Sequence, residues 1–218
     1  GHGPTAGRVV GDGIAWSHNA SGLWEHRQRV QLVLQDPDDQ LFSADVRADV
    51  SFGPINLGLD DAEVRVRVAE ALELLDVTEL ADRPVHQLSY GQRKRVAIAG
   101  AVAMRPQVLL LDEPTAGLDP RAVTTLRAAL SNLEARGTTV VVSTHDIDFA
   151  WEWADEVGVV VDGIVHQGST VKIMTDEALL GRAHLGVPWP VRLLRSLGQE
   201  IDVVAPPRTV SDVARLLG

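Results

Sequence analysis

At 218 residues the chain is long enough for one well-buried domain and too short for two of ordinary size. With 45% hydrophobic and 23% charged residues, its composition excludes collagen-like, coiled-coil and low-complexity architectures. Acidic side chains number 30 against 20 basic ones, a formal charge of -10 that suits poorly a protein whose task is coating nucleic acid, since phosphate binding is driven by Lys and Arg. The lack of cysteine rules out disulfides and thiolate metal sites, and no apolar run approaches the about 20 residues that span a bilayer.

Residues Gly7–Trp16 read as a short hairpin, Arg8-Val9-Val10 and Ile14-Ala15-Trp16 turning on Gly11-Asp12-Gly13. A polar loop is expected from Ser17 to Gln28, and then a strand, Val30–Leu34, that ends at Gln35-Asp36-Pro37. Asp60, with Glu63 three residues on, marks a helix start. Val64, Val68, Ala71, Leu72 and Leu75 follow on one face at helical spacing. A second helix begins near Ser89, runs to Met104 and is stopped by Arg105-Pro106. Val108–Leu111 is a continuous apolar strand of the kind buried on both faces of a parallel sheet. A helix over Arg121–Ala135 ends at Gly137, and Thr138–Ser143 is a β-branched strand. Strand, helix and strand with short links form a βαβ unit, so the core is α/β. A last hairpin, Val157–Val161 and Ile164–Gln167, turns on Asp162-Gly163; Val171–Gly218 is a tail of helical segments with prolines at 188, 190, 206 and 207.

Three places carry chemistry. Asp112 and Glu113 follow the apolar strand, at the carboxyl end where open α/β sheets bind ligands. A carboxylate there can hold Mg²⁺, and its neighbour can take a proton from water, although two acids at a solvated strand end read equally well. Ser89, Tyr90, Gly91 and Gln92 open a helix whose unpaired N–H groups suit a phosphate; Ser89 as a plain cap, boxed by Gln92, is the simpler reading. His145 follows the second core strand, and Gln35 ends the first.

The order of these pieces resembles the ATP-binding-cassette ATPase family over nearly the whole chain. A glutamine at a strand end is followed by a helical insertion, Leu88-Ser89-Tyr90-Gly91-Gln92, a strand ending Asp112-Glu113, Ala116-Gly117-Leu118-Asp119, and a strand followed by His145. The resemblance implies a P-loop-type α/β core with an inserted helical subdomain and a C-terminal helical tail. It divides the chain into residues 1–40, 41–105, 106–170 and 171–218. It also implies ATP and Mg²⁺, with Gln35 as the Q-loop glutamine and Asp112 as the Walker B carboxylate, both toward Mg²⁺. Glu113 would be the catalytic base, Asp119 a D-loop residue and His145 the switch histidine. Ser89–Gln92 would be the signature motif, with Tyr90 where a Gly is usual.

A narrower likeness joins Gln35–Phe42, Val50–Pro54, Leu57–Leu59 and Arg95–Ala101 to the cobalt and energy-coupling-factor importer ATPases. It implies import of cobalt, nickel or a vitamin, a second ATPase subunit (identical or not), a transmembrane scaffold, no nucleic acid, and a peripheral place on the cytoplasmic face of the membrane. The alternative is an ATPase-dead or soluble non-transport cassette acting as a partner. The phosphate loop G-x-x-x-x-G-K-[ST] does not occur, because the only lysines are Lys94 and Lys172 and neither follows Gly. The sequence is therefore expected to begin just after that loop, with Pro4–Val9 at the join. The upstream strand and helix should leave apolar surface uncovered, and the chain alone should not hydrolyse ATP.

Overall fold

Three parallel strands organise the larger part of the chain. The computed structural model describes residues 6–218 apart from Asp12, His18, Val203 and Val204. These residues fall into two compact units, one ending at Ser143 and the other spanning Thr144–Gly218. The single well-buried body suggested by the chain length is thus divided at the end of a core strand.

In the first unit β1 (Val10–Gly11) pairs antiparallel with β2 (Ile14–Ala15) as the expected short hairpin. Asp12 of its turn, and Pro4 and Thr5 of the supposed join, lie outside the described residues. Residues 17–28 are not the loop their polarity suggested. Most of them belong to α1 (Ala20–Arg29), where the Asn19 side chain accepts from the Gly22 amide at 2.8 Å and His26, Arg27 and Arg29 occupy the last turn. The cap satisfies an orphan amide and the basic residues meet the C-terminal carbonyls. A surface helix with so few apolar residues shows no periodic stripe, which is why its sequence reads as loop.

After β3 (Val30–Val33) the chain leaves the sheet for α2 (Val46–Asn56), α3 (Asp61–Leu74) and α4 (Tyr90–Ala103). Asp45 and Asp60 cap the first two by accepting amide hydrogen bonds of 2.8 to 3.0 Å. The three helices bury Val46 and Val50, Val64 and Leu72, and Val96 and Ile98 against one another. The buried carboxylate of Asp49 accepts from the amides of Phe42 and Ser43 at 2.9 and 2.8 Å, which pins the entry to this insertion.

The chain then returns as β4 (Val108–Asp112), crosses by α5 (Pro120–Ala135) and re-enters as β5 (Thr139–Ser143). The sheet is parallel in the order β3-β4-β5, with Leu32 beside Leu110 beside Val141. Because side chains alternate along a strand, the other face carries Val33, Leu109 and Leu111, all buried. The Leu32–Leu110–Val141 row is open: Leu32 is 51% and Val141 49% exposed.

The second unit pairs β6 (Glu156–Val161) with β7 (Ile164–Ser169) across Asp162 (φ 51°) and Gly163 (φ 76°). Two consecutive positive φ values are the turn that a two-residue hairpin requires. Short helices surround it: α6 (Ile147–Trp153), α7 (Thr170–Met174), α8 (Glu177–Arg182), α9 (Trp189–Ser196) and α10 (Val210–Leu217). Val159, Val161, Ile173 and Leu180 form one core cluster, and Trp151, Val171, Met174 and Val191 another. The Trp151 indole donates to the Pro207 carbonyl at 3.0 Å, fastening the tail to this unit.

The two faces of the sheet should respond differently to truncation. Leu109→Ala, at a fully buried position, is expected to cost about 2–5 kcal/mol in urea unfolding, whereas Leu32→Ala stays within about 1 kcal/mol.

Candidate functional site

The carboxyl ends of the parallel strands converge on the start of one helix. Asp112 closes β4, and the Ser143 hydroxyl at the end of β5 donates to its Oδ1 at 2.7 Å. Glu113 follows in the left-handed region (φ 43°), and its amide donates to the Ser143 carbonyl at 2.8 Å. The chain then turns tightly: Ala116 N donates to the Glu113 carbonyl at 3.2 Å and Leu118 N to that of Thr115 at 3.1 Å. Asp119 ends the turn as the cap of α5, accepting from Ala122 N at 2.8 Å. Two carboxylates are thereby held at a strand end within one short, hydrogen-bonded turn.

The first turn of α4 lies against that turn. Ser89 and Gln92 form the capping box: Gln92 N donates to Ser89 Oγ at 3.3 Å, and Ser89 N to Gln92 Oε1 at 2.9 Å. The plain structural reading of Ser89 is therefore present, and it leaves the hydroxyl proton able to donate. A Cβ on Gly91 would come within 3.3 Å of Leu118, so the helix approaches the turn closely there. At Gly117 (φ 75°) a Cβ would meet the Tyr90 ring at 2.6 Å, so only glycine fits. The Tyr90 hydroxyl donates to the backbone carbonyl of Gln35 at 3.2 Å. Arg93 pairs with Asp38, just beyond Gln35, at 2.7 Å.

Lys94 completes the arrangement. It is fully buried, and its Nζ donates to the carbonyls of Glu113 and of Ala116, the latter at 3.1 Å. Burial holds its pKa below the ordinary lysine value, a fall that the nearby Glu113, Asp112 and Asp36 carboxylates partly offset. This ammonium is committed to main-chain oxygens. Lys172 lies on α7 in the other unit.

Among the residues singled out in the sequence, the structure brings Gln35, Tyr90 and Gly91, and the turn from Asp112 to Asp119, into one neighbourhood, with Ser89 and Gln92 at its helix start. His145 belongs to the second unit, exposed in the loop between β5 and α6, where Asp146 caps the helix by accepting from Phe149 N at 3.0 Å. Sequence reasoning assigns no role to Lys94, and marks Ser143 only as the residue that leads to His145. The available signal for Lys94 was its place on the apolar stripe of α4, in step with Ala97, Ile98 and Ala101.

The donor set at Asp112 is oxygen only, and it includes a carboxylate oriented by Ser143. That chemistry fits Mg²⁺, which takes one or two carboxylates and fills its shell with water and phosphate oxygens. No group of three or more His, Asp or Glu side chains able to hold a metal occurs among the described residues.

A parallel α/β sheet with an acidic pair at the end of its central strand, faced by a glycine-bearing helix start, fits a nucleotide-binding site, and comparison with known proteins gives the class as a cassette ATPase. Residues 2–116 match the family model described as "ABC transporter". The cobalt import ATP-binding protein CbiO of Rhodobacter capsulatus is 51% identical over 194 residues, 88% of this chain and 69% of that protein. The energy-coupling factor transporter ATP-binding protein EcfA of Methanosphaera stadtmanae is 42% identical over 213 residues, 96% and 77% of the two chains. The solved structure of cbiO1 from Clostridium perfringens, described as part of the ABC transporter complex cbiONQ, superposes with a TM-score of 0.73 at 40% identity. That superposition covers 88% of this chain and 77% of the other. The chain belongs to the ABC transporter family, whose cassettes bind and hydrolyse ATP.

Lys94 has a measurable signature. In the folded chain it gives up its proton at a lower pH than in the unfolded chain, whose lysines titrate near 10.5. Below 10.5 the unfolded state therefore binds more protons, and this residue makes stability rise with pH across the window between the two values. Urea midpoints followed with pH up to 10.5 should show that rise in the wild type, relative to Lys94→Met, which lacks it. The variant should also be about 1–3 kcal/mol less stable at neutral pH, because it strips a donor from two carbonyls.

Proposed function

We propose that the chain is the ATP-hydrolysing subunit of an energy-coupling-factor type importer for cobalt, nickel or a vitamin, working as one of a pair beside a transmembrane scaffold. The observation that carries this reading is the first turn of α4, which grips the Asp112-Glu113 turn through Lys94 and the Gln35 segment through Tyr90, in a chain 51% identical to a cobalt import ATPase.

In this reading Glu113 takes the proton of the attacking water as its oxygen bonds to the γ-phosphorus and the bridging bond to the β-phosphate breaks. Asp112, oriented by Ser143, and Gln35 would hold Mg²⁺, which when bound would offset charge on the phosphate oxygens. Gln35 and His145 sense the γ-phosphate, each from a segment that follows a core strand. Ser89 and the amides of Tyr90 and Gly91 face the nucleotide held by the partner subunit, since a helix start favours an anion, and Gln92 holds Ser89 in place through the capping box. Asp119 borders the same interface from the cap of α5.

A groove of about 570 Å³ beside α1, α2 and α4 supports the scaffold assignment. Trp24, Phe42 and Phe52 line it while 49% to 65% exposed, and Met104 closes one side. Open aromatic grooves of this kind receive amphipathic helices, and a scaffold's cytoplasmic segment is the partner that an importer supplies. None of the described helices is long and apolar enough to cross a membrane, which fits a peripheral subunit.

Two measurements test the proposal. In a chain extended upstream by a phosphate-loop segment, Glu113→Gln should lower ATP turnover by at least about 100-fold while ATP binding persists; turnover near wild type removes Glu113 from the role of base. The 218-residue chain by itself should show no micromolar binding of Mg-ATP by calorimetry, because its two lysines offer no phosphate cradle. Micromolar affinity would mean that other residues hold the phosphates.

A further inference from the structure

Where the resemblance leads one to expect glycine, this chain has Tyr90, and the side chain turns inward on its own subunit. Its ring fills the space above Gly117, its hydroxyl reaches the Gln35 carbonyl, and the Lys94 ammonium lies 5.8 Å from the ring centre, one helical turn on. Lys94 in turn holds the carbonyls of Glu113 and Ala116. A single turn of α4 therefore touches the segment after β3 through Tyr90 and the segment after β4 through both residues. All three carbonyl partners are main-chain atoms, so the link reports where each segment runs, whatever its side chains do. The ring leaves no room for the 113–118 turn to advance, since even a methyl group at Gly117 would collide with it.

We propose that Tyr90 is a positioning residue: it locks the start of α4, which bears Ser89, in register with the Gln35 and Glu113 segments of the same subunit. The inference rests on the preceding reading that Ser89 serves the partner's nucleotide. Given that reading, the lock makes catalysis at the partner's site depend on the state of this subunit's own Gln35 segment. If that segment shifts, the hydroxyl contact breaks and the helix start is released. A glycine at position 90 would remove the hydroxyl link and the ring, leaving the Lys94 and Arg93 contacts in place.

The test pairs the 218-residue chain with a cassette subunit that carries its own phosphate loop, and compares wild type, Tyr90→Phe and Tyr90→Gly. Phenylalanine keeps the ring and loses the hydroxyl; glycine loses both. Hydrogen exchange read by mass spectrometry should show faster uptake in residues 35–41 for Tyr90→Phe, and in both 35–41 and 113–119 for Tyr90→Gly, with 64–72 of α3 unchanged as the folding control. In the mixed pair, Tyr90→Phe should lower kcat about tenfold while KM for ATP stays within about twofold, the mark of misplacement in the transition state. Unchanged exchange in 35–41 overturns the lock. Raised exchange with an unchanged kcat reduces Tyr90 to packing and overturns its positioning role. A wild-type mixed pair that hydrolyses nothing defeats the proposed function instead, and the exchange comparison then decides the lock alone.

Discussion

A buried ammonium against two carbonyls is the constraint from which the rest of the site follows. Lys94 has no exposed surface, and a cation in that position is tolerable only if its protons are given to acceptors. The acceptors are the carbonyls of Glu113 and Ala116, so the peptide that carries Glu113 is fixed from behind by α4 while its amide is fixed by β5. Glu113 can then occupy a left-handed conformation that a free loop would abandon. The acidic turn is held by the helix start, and the helix start by the turn. Tyr90 and Arg93 extend the same grip to the segment that contains Gln35.

The sheet explains why this machinery can be rigid beside an open surface. Its buried face, Val33, Leu109 and Leu111, anchors the strand ends, while the Leu32–Leu110–Val141 row stands partly in solvent. Apolar rows of that kind favour coverage by further structure. The strand ends need only the anchored face and the α4 clamp, both of which belong to the first unit. The second unit has its own cores around Val159 and Trp151 and presents His145 on its first loop.

How much of this was legible beforehand depended on which kind of signal each residue gives. β4 and β5 announced themselves through unbroken apolar and β-branched runs, and α3 and α4 through caps followed by helical spacing. Asp112, Glu113, Ser89 and Gln35 were visible because position at a strand end or helix start is itself a chemical statement. α1 was not: its stabilising features are one Asn cap and a basic last turn, and neither raises a polar stretch above loop. Lys94 was hidden for a different reason. Composition treats lysine as surface, and only the three-dimensional meeting of α4 with the turn after β4 supplies the carbonyls that let it be buried. Tyr90 was recognisable as a departure from the usual glycine, but its partner is a backbone carbonyl 55 residues away, and side-chain patterns carry no trace of such a contact.

Only two lysines occur in the chain, which makes the clamp directly observable. With lysine labelled at Cε or Nζ, the nuclear magnetic resonance spectrum should contain two side-chain signals, and a pH titration should separate them. The clamp predicts that the Lys94 signal, assigned by its loss in Lys94→Met, is protected from solvent exchange, and the burial that the clamp makes tolerable predicts that it titrates below 10.5. A Lys94 signal that exchanges freely and titrates at 10.5 would mean a solvated ammonium, and would contradict the claim that this residue fixes the Glu113 turn.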